Sequence, residues 1–142
     1  MKESQVMKER IQLAYMLCKK LGMQFENADD QEDMYTADIT EPDGFSTAIL
    51  IDSETNFLEI MYSFLFSESM FRYIKNCLRD INSICYEYGC YTYYQVVEGE
   101  IMISVFSKIY YSGLNYNSLQ DTLQDFKYCI ESMKEVVDVS LQ

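Results

Sequence analysis

Five cysteines and a dense set of carboxylates are the side chains in this sequence whose chemistry could go beyond packing. The cysteines are Cys18, Cys77, Cys85, Cys90 and Cys129. Their number is odd and no CxxC pair occurs, so the spacing supports neither a disulfide framework nor a zinc knuckle. Cys18, Cys77 and Cys129 fall among the apolar positions of helical stretches, where a free thiol packs as a small hydrophobe. A reactive thiol needs a neighbouring base or cation, and the sequence places none beside these residues. Asp38 and Glu59 are expected on adjacent strands, where two carboxylates could act as an acid-base pair; a solvated strand face is the plainer reading. The run Asp29-Asp30-Gln31-Glu32-Asp33 offers oxygen ligands but lacks the Gly and the downstream bidentate Glu of an EF-hand loop. The 142 residues contain no His, which removes the commonest general base and metal ligand. Ser-His-Asp and Cys-His catalysis, His-containing zinc sites and HExxH chemistry go with it. The expectation is therefore no catalytic residue, no metal, no disulfide and no cofactor.

Charge points the same way. Lys and Arg total 11 against 23 Asp and Glu, a net charge of −12. Nucleic acid and anionic membranes call for basic patches, so neither is an expected partner. The acids are unevenly spread: residues 21–68 hold twelve acids and no base, while residues 1–20 hold five bases and two acids. The acidic block suits either a solvated surface or a face that steers a basic protein segment. The start of the chain, Met1-Lys2-Glu3-Ser4-Gln5, leads into a charged amphipathic stretch without a continuous apolar core, so no signal peptide is read there. The longest nearly uncharged run, Ile60 to Phe66, is too short to span a bilayer. A soluble, cytoplasmic protein is expected.

The elements that position these groups follow from periodicity. Residues 4–21 read as a helix with Met7, Ile11, Ala14, Cys18 and Leu21 on one face, and Gly22 ends it. Met34 to Thr40 alternates as a strand, with a shorter strand around Met23 to Glu26 preceding or merging with it. Glu41-Pro42-Asp43-Gly44 turns the chain into a second strand, Phe45 to Asp52. After Ser53 to Asn56, a long third strand runs from Phe57 to Phe66. Ser67 or Ser69 caps a second helix to about Tyr86, with Met70, Ile74, Leu78, Ile81 and Cys85 as its stripe. Tyr91 to Val97 and Glu100 to Tyr111 form a hairpin across Glu98-Gly99. Ser118 with Asp121 resembles a capping box for a last helix from Leu119 to about Val137. The order α-β-β-β-α-β-β-α, with hairpin-length connections, predicts one α+β domain over residues 1–142. It would have three helices and a single antiparallel sheet of about five strands.

Strand patterning carries most of the functional information. A sheet covered on one side should alternate apolar with polar residues, yet here both sides are often apolar. Leu58, Ile60, Tyr62, Phe64 and Phe66 line one face of the third strand, and Phe57, Met61 and Leu65 the other. Ile101, Ile103, Val105 and Ile109 oppose Met102, Phe106 and Tyr110 in the last strand, and Tyr91 and Tyr93 oppose Tyr94 and Val96. Three amphipathic helices can cover one face fully and the other only in part. Phe57, Met61, Leu65, Tyr91, Tyr93, Met102, Phe106 and Tyr110 are thus the candidate protein-binding surface. Tyr and Met suit that role through large, adaptable contact area.

The element order, the small size, the acidic balance and stretches such as Phe45-Ser46-Thr47-Ala48-Ile49-Leu50-Ile51 and Ile101-Met102-Ile103-Ser104-Val105 resemble a known family. The chain is similar to the type III secretion chaperone-like fold and, within it, to the YbjN-like proteins, described as bacterial sensory transduction regulators. The likeness runs from near Ser4 to near Val137. It implies a sheet with helices packed against it, frequent dimerisation, and binding to protein chains rather than catalysis. It supplies no catalytic residues. The expected function is a small acidic, non-enzymatic protein-binding module, chaperone-like or regulatory, working as a homodimer or with a protein partner. The alternatives are a small-molecule-sensing domain and a carboxylate-based enzyme.

Overall fold

A computed structural model describes residues 5–140 of the chain. Three helices and one antiparallel sheet make up the structure, in the α+β class. The first helix, α1 (Gln5–Lys20), ends on Gly22, whose φ of 78° is open to glycine at no steric cost. Ser4, the expected start of that helix, lies outside the described residues. Six strands follow in part: β1 (Gln24–Asp30), β2 (Met34–Thr40), β3 (Ser46–Asp52) and β4 (Phe57–Ser67) come first. A short 3-10 turn, Glu68–Met70, then leads into α2 (Phe71–Tyr88). The hairpin β5 (Tyr91–Val97) and β6 (Glu100–Tyr110) precedes α3 (Tyr116–Ser140). The strand order across the sheet is β1-β2-β3-β4-β6-β5.

The sheet has six strands rather than about five. The extra one, β1, pairs with β2 from Gln24↔Thr40 to Asp30↔Tyr35, with a bulge between Glu26 and Asp29. Apart from Phe25 and Ala28 it is polar, and all of it but Phe25 is exposed, so its periodicity is faint. Its acids and its bulge also protect an edge that would otherwise invite pairing.

The described residues divide into two compact units, one of residues 5–61 with 108–122, the other of residues 62–107 with 123–140. In the first, α1 packs on β1 and β3. Met7, Ala14, Leu17 and Cys18 face a sheet surface of Tyr35, Ala37, Ile39, Ile49, Ile51, Leu58 and Ile60, all buried. Register explains the selection: Ala37 pairs with Ile49, which pairs with Ile60, and Tyr35 with Ile51, which pairs with Leu58. Residues paired across an antiparallel ladder share a face, so one alternation propagates from strand to strand. An aromatic ladder seals its edge, with Tyr15 edge-on to Phe25 at 5.3 Å and Phe25 stacked on Tyr35 at 6.3 Å. Arg10 donates to the Thr55 carbonyl at 2.8 Å while its guanidinium lies 4.3 Å from the Tyr111 ring centre.

In the second unit, Ile74, Cys77, Ile81 and Cys85 of α2 and Phe126, Cys129, Ile130 and Met133 of α3 are buried, as are Ile101, Ile103 and Val105 of β6. Tyr73 donates to the Val137 carbonyl and ties the two helices. Helix α2 ends on Gly89 in the left-handed region, with the Cys90 N–H donating to the Cys85 carbonyl at 2.8 Å. That 6→1 bond is a Schellman ending.

Candidate protein-binding surface

The sheet surface opposite the buried isoleucines is built from the alternate positions of the same ladders. In the first unit it carries Thr36, Asp38 and Thr40, paired with Leu50, Ala48 and Ser46; Leu50 and Ala48 pair in turn with Glu59 and Met61. Here it is polar and acidic. Asp38 accepts a 2.8 Å hydrogen bond from the Asn27 side chain, and Thr40 and Ser46 share one of 3.0 Å. Asp38 and Glu59 are not on adjacent strands: β3 runs between their strands, two interstrand spacings or roughly 10 Å across. The β2-β3-β4 meander separates the two acids. They do not form an acid-base pair.

At β4 and β6 the same surface of the first unit turns aromatic. Phe57 and Tyr110 meet edge-on at 5.6 Å. The Lys108 ammonium lies 4.9 Å from the Phe57 ring centre and 5.4 Å from that of Tyr110, within cation–π range. Met61 is half-buried on the same side.

The second unit holds the larger part. Met102, Ser104 and Phe106 pair with Gln95, Tyr93 and Tyr91, which puts all six on one face. Tyr91 stacks on Phe106 with ring centres 5.5 Å apart and planes within 17°. Leu65 of β4 lies on the side of Ser63, whose hydroxyl meets that of Ser104 at 3.0 Å. Exposure is 63% for Leu65, 57% for Tyr93 and 39% for Tyr91. Met102 and Phe106 are half-buried. Each of the eight sequence-selected residues thus keeps solvent access, and none lies in the buried core. The structure joins Phe57 to Tyr110 and Tyr91 to Phe106 by direct ring contact. The Ser63–Ser104 pair in the middle of the patch escapes sequence reading, because a lone serine in an apolar strand gives no hint of its partner.

A second feature of this unit is also absent from strand patterning. Phe71, Ile74, Lys75 and Leu78 of α2, with Tyr94, Gln95 and Val96 of β5 and Ile101 of β6, line an apolar groove of about 260 Å³. Lys75 is the charged group on its wall. Tyr94 reaches toward the Asn82 side-chain oxygen at 3.4 Å, and burial raises its hydroxyl pKa above the usual tyrosine value. Among the described residues, no group of three or more His, Cys, Asp or Glu is placed to hold a metal ion. No described helix is long and apolar enough to cross a membrane.

No family model matches the chain, and no curated protein matches it. Solved structures do. YbjN from E. coli, a proposed transcription regulator, superposes with a TM-score of 0.57 over 89% of this chain and 87% of its own, at 14% identity. The fold is YbjN-like. An uncharacterized protein from Methanothermobacter thermautotrophicus shares it, with a TM-score of 0.64 over 87% of this chain and 96% of that one, at 11% identity. At such identity the YbjN-like likeness speaks for architecture alone. Neither neighbour is described as an enzyme.

Proposed function

We propose that this chain is a non-enzymatic, cytoplasmic protein-binding module of the YbjN-like family, chaperone-like or regulatory. It acts through the sheet face of the second unit, which carries Leu65, Tyr91, Tyr93, Met102 and Phe106. One observation carries the reading: these apolar side chains keep their solvent access while the opposite sheet face supplies the buried core. Contiguous apolar surface of more than a few hundred Å² is unusual on a monomer and marks an interaction site. The partner is a second copy of the chain or another protein. A homodimer would bury on the order of 1,200–2,000 Å² in total. The tyrosine hydroxyls of that face suit a contact that is apolar in the middle and polar at its edge. The test compares capture of proteins from native lysate by the immobilised chain and by Tyr93→Asp and Leu65→Asp. Tyr86→Asp is the control, since Tyr86 is 89% exposed on α2. Loss of the same captured species in the first two variants and its retention in the control supports the surface; equal capture by all contradicts it.

The groove between α2 and β5 favours a second reading, a small-molecule-sensing module. Its size and apolar lining suit a compact hydrophobic ligand whose anionic end meets Lys75. Binding of an anionic naphthalene dye that Leu78→Trp abolishes would support it, and dye binding unaffected by that filling would refute it.

A further inference from the structure

We propose that the outer edge of β5 accepts a further strand from another protein, an extended segment that carries apolar and acidic side chains on one of its two faces. This edge is separate from the sheet face of Leu65 and Tyr93: it comprises the backbone at the end of the sheet and the side of β5 turned toward α2. In the order β1-β2-β3-β4-β6-β5, β5 is the last strand, and it pairs with β6. A terminal strand presents a row of unpaired N–H and C=O groups, and proteins shield such rows with charges, proline or a bulge. At the other end of the order, β1 has three acids and a bulge. In β5, Tyr91 to Val97 include no charged residue, proline or glycine, and the register with β6 is unbroken. Among the described residues, no turn or loop backbone bonds to residues 92–97.

Side chains beside the edge say what that strand carries. Register places Thr92, Tyr94 and Val96 on the face of Val105, Ile103 and Ile101, which are buried. Helix α2 packs against β5 but stops short of covering it: Tyr94 is exposed and Val96 is 59% exposed, as is Phe71 at the start of the helix. The groove of Phe71, Ile74, Leu78, Tyr94 and Val96 is the strip left open. A strand added to β5 aims every second side chain toward this strip. Charge selects among those side chains. Arg72, Lys75 and Arg79 follow at spacings of three and four, which makes one exposed stripe on α2, and residues 71–79 contain no acid. Lys75 lines the groove itself. None of the three bases has an ion-pair partner among the described residues. Carboxylates interspersed with apolar residues on the α2-facing side of the incoming strand complement both the groove and the stripe. A second copy of this chain does not. Antiparallel pairing of β5 with β5 about a two-fold axis keeps like faces together, so it would set two Arg72-Lys75-Arg79 stripes on one sheet face. In addition, β5 has no carboxylate to offer.

The experiment titrates the full chain into a fluorescein-labelled peptide, Glu-Thr-Val-Thr-Glu-Thr-Val, as long as β5 itself, and reads anisotropy. Saturable binding is expected, and exchange of both Glu for Lys should weaken it roughly tenfold or more. Lys75→Glu should weaken it likewise. Lys8→Glu makes the same change in net charge at an exposed position of α1 and should leave it unchanged. Two further peptides, N-methylated either at the Thr residues or at the Glu and Val residues, test the backbone. Alternate N–H groups of a strand point to opposite edges, so one of the two should keep binding and the other lose it. Equal behaviour of the two methylated peptides would reduce the site to a groove for side chains or small molecules and overturn strand addition. Absence of binding, equal binding of the Lys peptide, or equal losses in Lys8→Glu and Lys75→Glu would overturn the proposal. So would a dimer of this chain that the peptide dissociates, since the edge would then belong to a second copy.

Discussion

Phe126 and Tyr93 mark the two extremes of what an aromatic side chain does here. Phe126 is fully buried on α3, and Phe126→Ala should cost about 3–5 kcal/mol in a urea titration, from lost transfer energy plus the cavity left behind. Tyr93→Ser leaves the core untouched and should change stability by less than about 0.5 kcal/mol. Equal effects would place Tyr93 in the core and remove it from the proposed surface. Tyr111 gives a prediction in pH. Its hydroxyl is buried without a hydrogen-bond partner, and burial raises its pKa from 10.0 to about 12; Arg10 pulls it down and Asp52 pushes it up, both by less. A phenol whose folded-state pKa lies above its unfolded value favours the folded state while neutral. That contribution is complete below pH 10 and is lost as pH rises toward 12. Tyr111→Phe should flatten the alkaline fall in melting temperature over that window. It should not destabilise the protein at pH 7, because an unpaired buried hydroxyl is removed.

Elements show where the sequence was readable and where it was not. The expected bounds of β2 and β5 coincide with the observed ones, Met34–Thr40 and Tyr91–Val97, because strict alternation or a run of β-branched and aromatic residues between turn signals is unambiguous. Strand β1 reads from the sequence only as a short stretch preceding or merging with its neighbour, since Glu26, Asn27, Asp29 and Asp30 carry no apolar period. The start of α3 differs for a chemical reason. The box expected at Ser118 and Asp121 lies three residues earlier: the Asn115 side-chain oxygen accepts from the Ser118 N–H at 2.9 Å, and the Ser118 hydroxyl accepts from the Asn115 N–H at 2.9 Å. Asn caps as well as Ser, and either position fits a first-turn pattern in the sequence. Ser67 accepts from the Ser69 N–H at 3.3 Å and caps the 3-10 turn rather than α2 itself. Asn115→Ala should therefore cost about 1 kcal/mol in thermal or chemical unfolding, and Asp121→Ala close to nothing. The reverse ranking would restore the cap at Ser118. Which residues share a sheet face depends only on alternation and is readable in the sequence, whereas the groove beside α2 depends on which helix lies over which strand.

For the whole molecule, charge and apolar surface act against each other. A net charge of −12 keeps chains apart, and its repulsion is screened over about 10 Å at 0.1 M salt. The sheet face with Leu65, Tyr91, Tyr93, Met102 and Phe106 favours contact through burial of apolar area, which salt does not weaken. An association through that face should therefore tighten as salt rises, opposite to one held by ion pairs. Sedimentation velocity across protein concentration, at low and high salt, reads this directly for the chain and for Tyr93→Asp. The expected result is a concentration-dependent dimer that salt strengthens and Tyr93→Asp abolishes. A strict monomer at every concentration and salt, or a dimer that Tyr93→Asp leaves intact, would contradict self-association through this face.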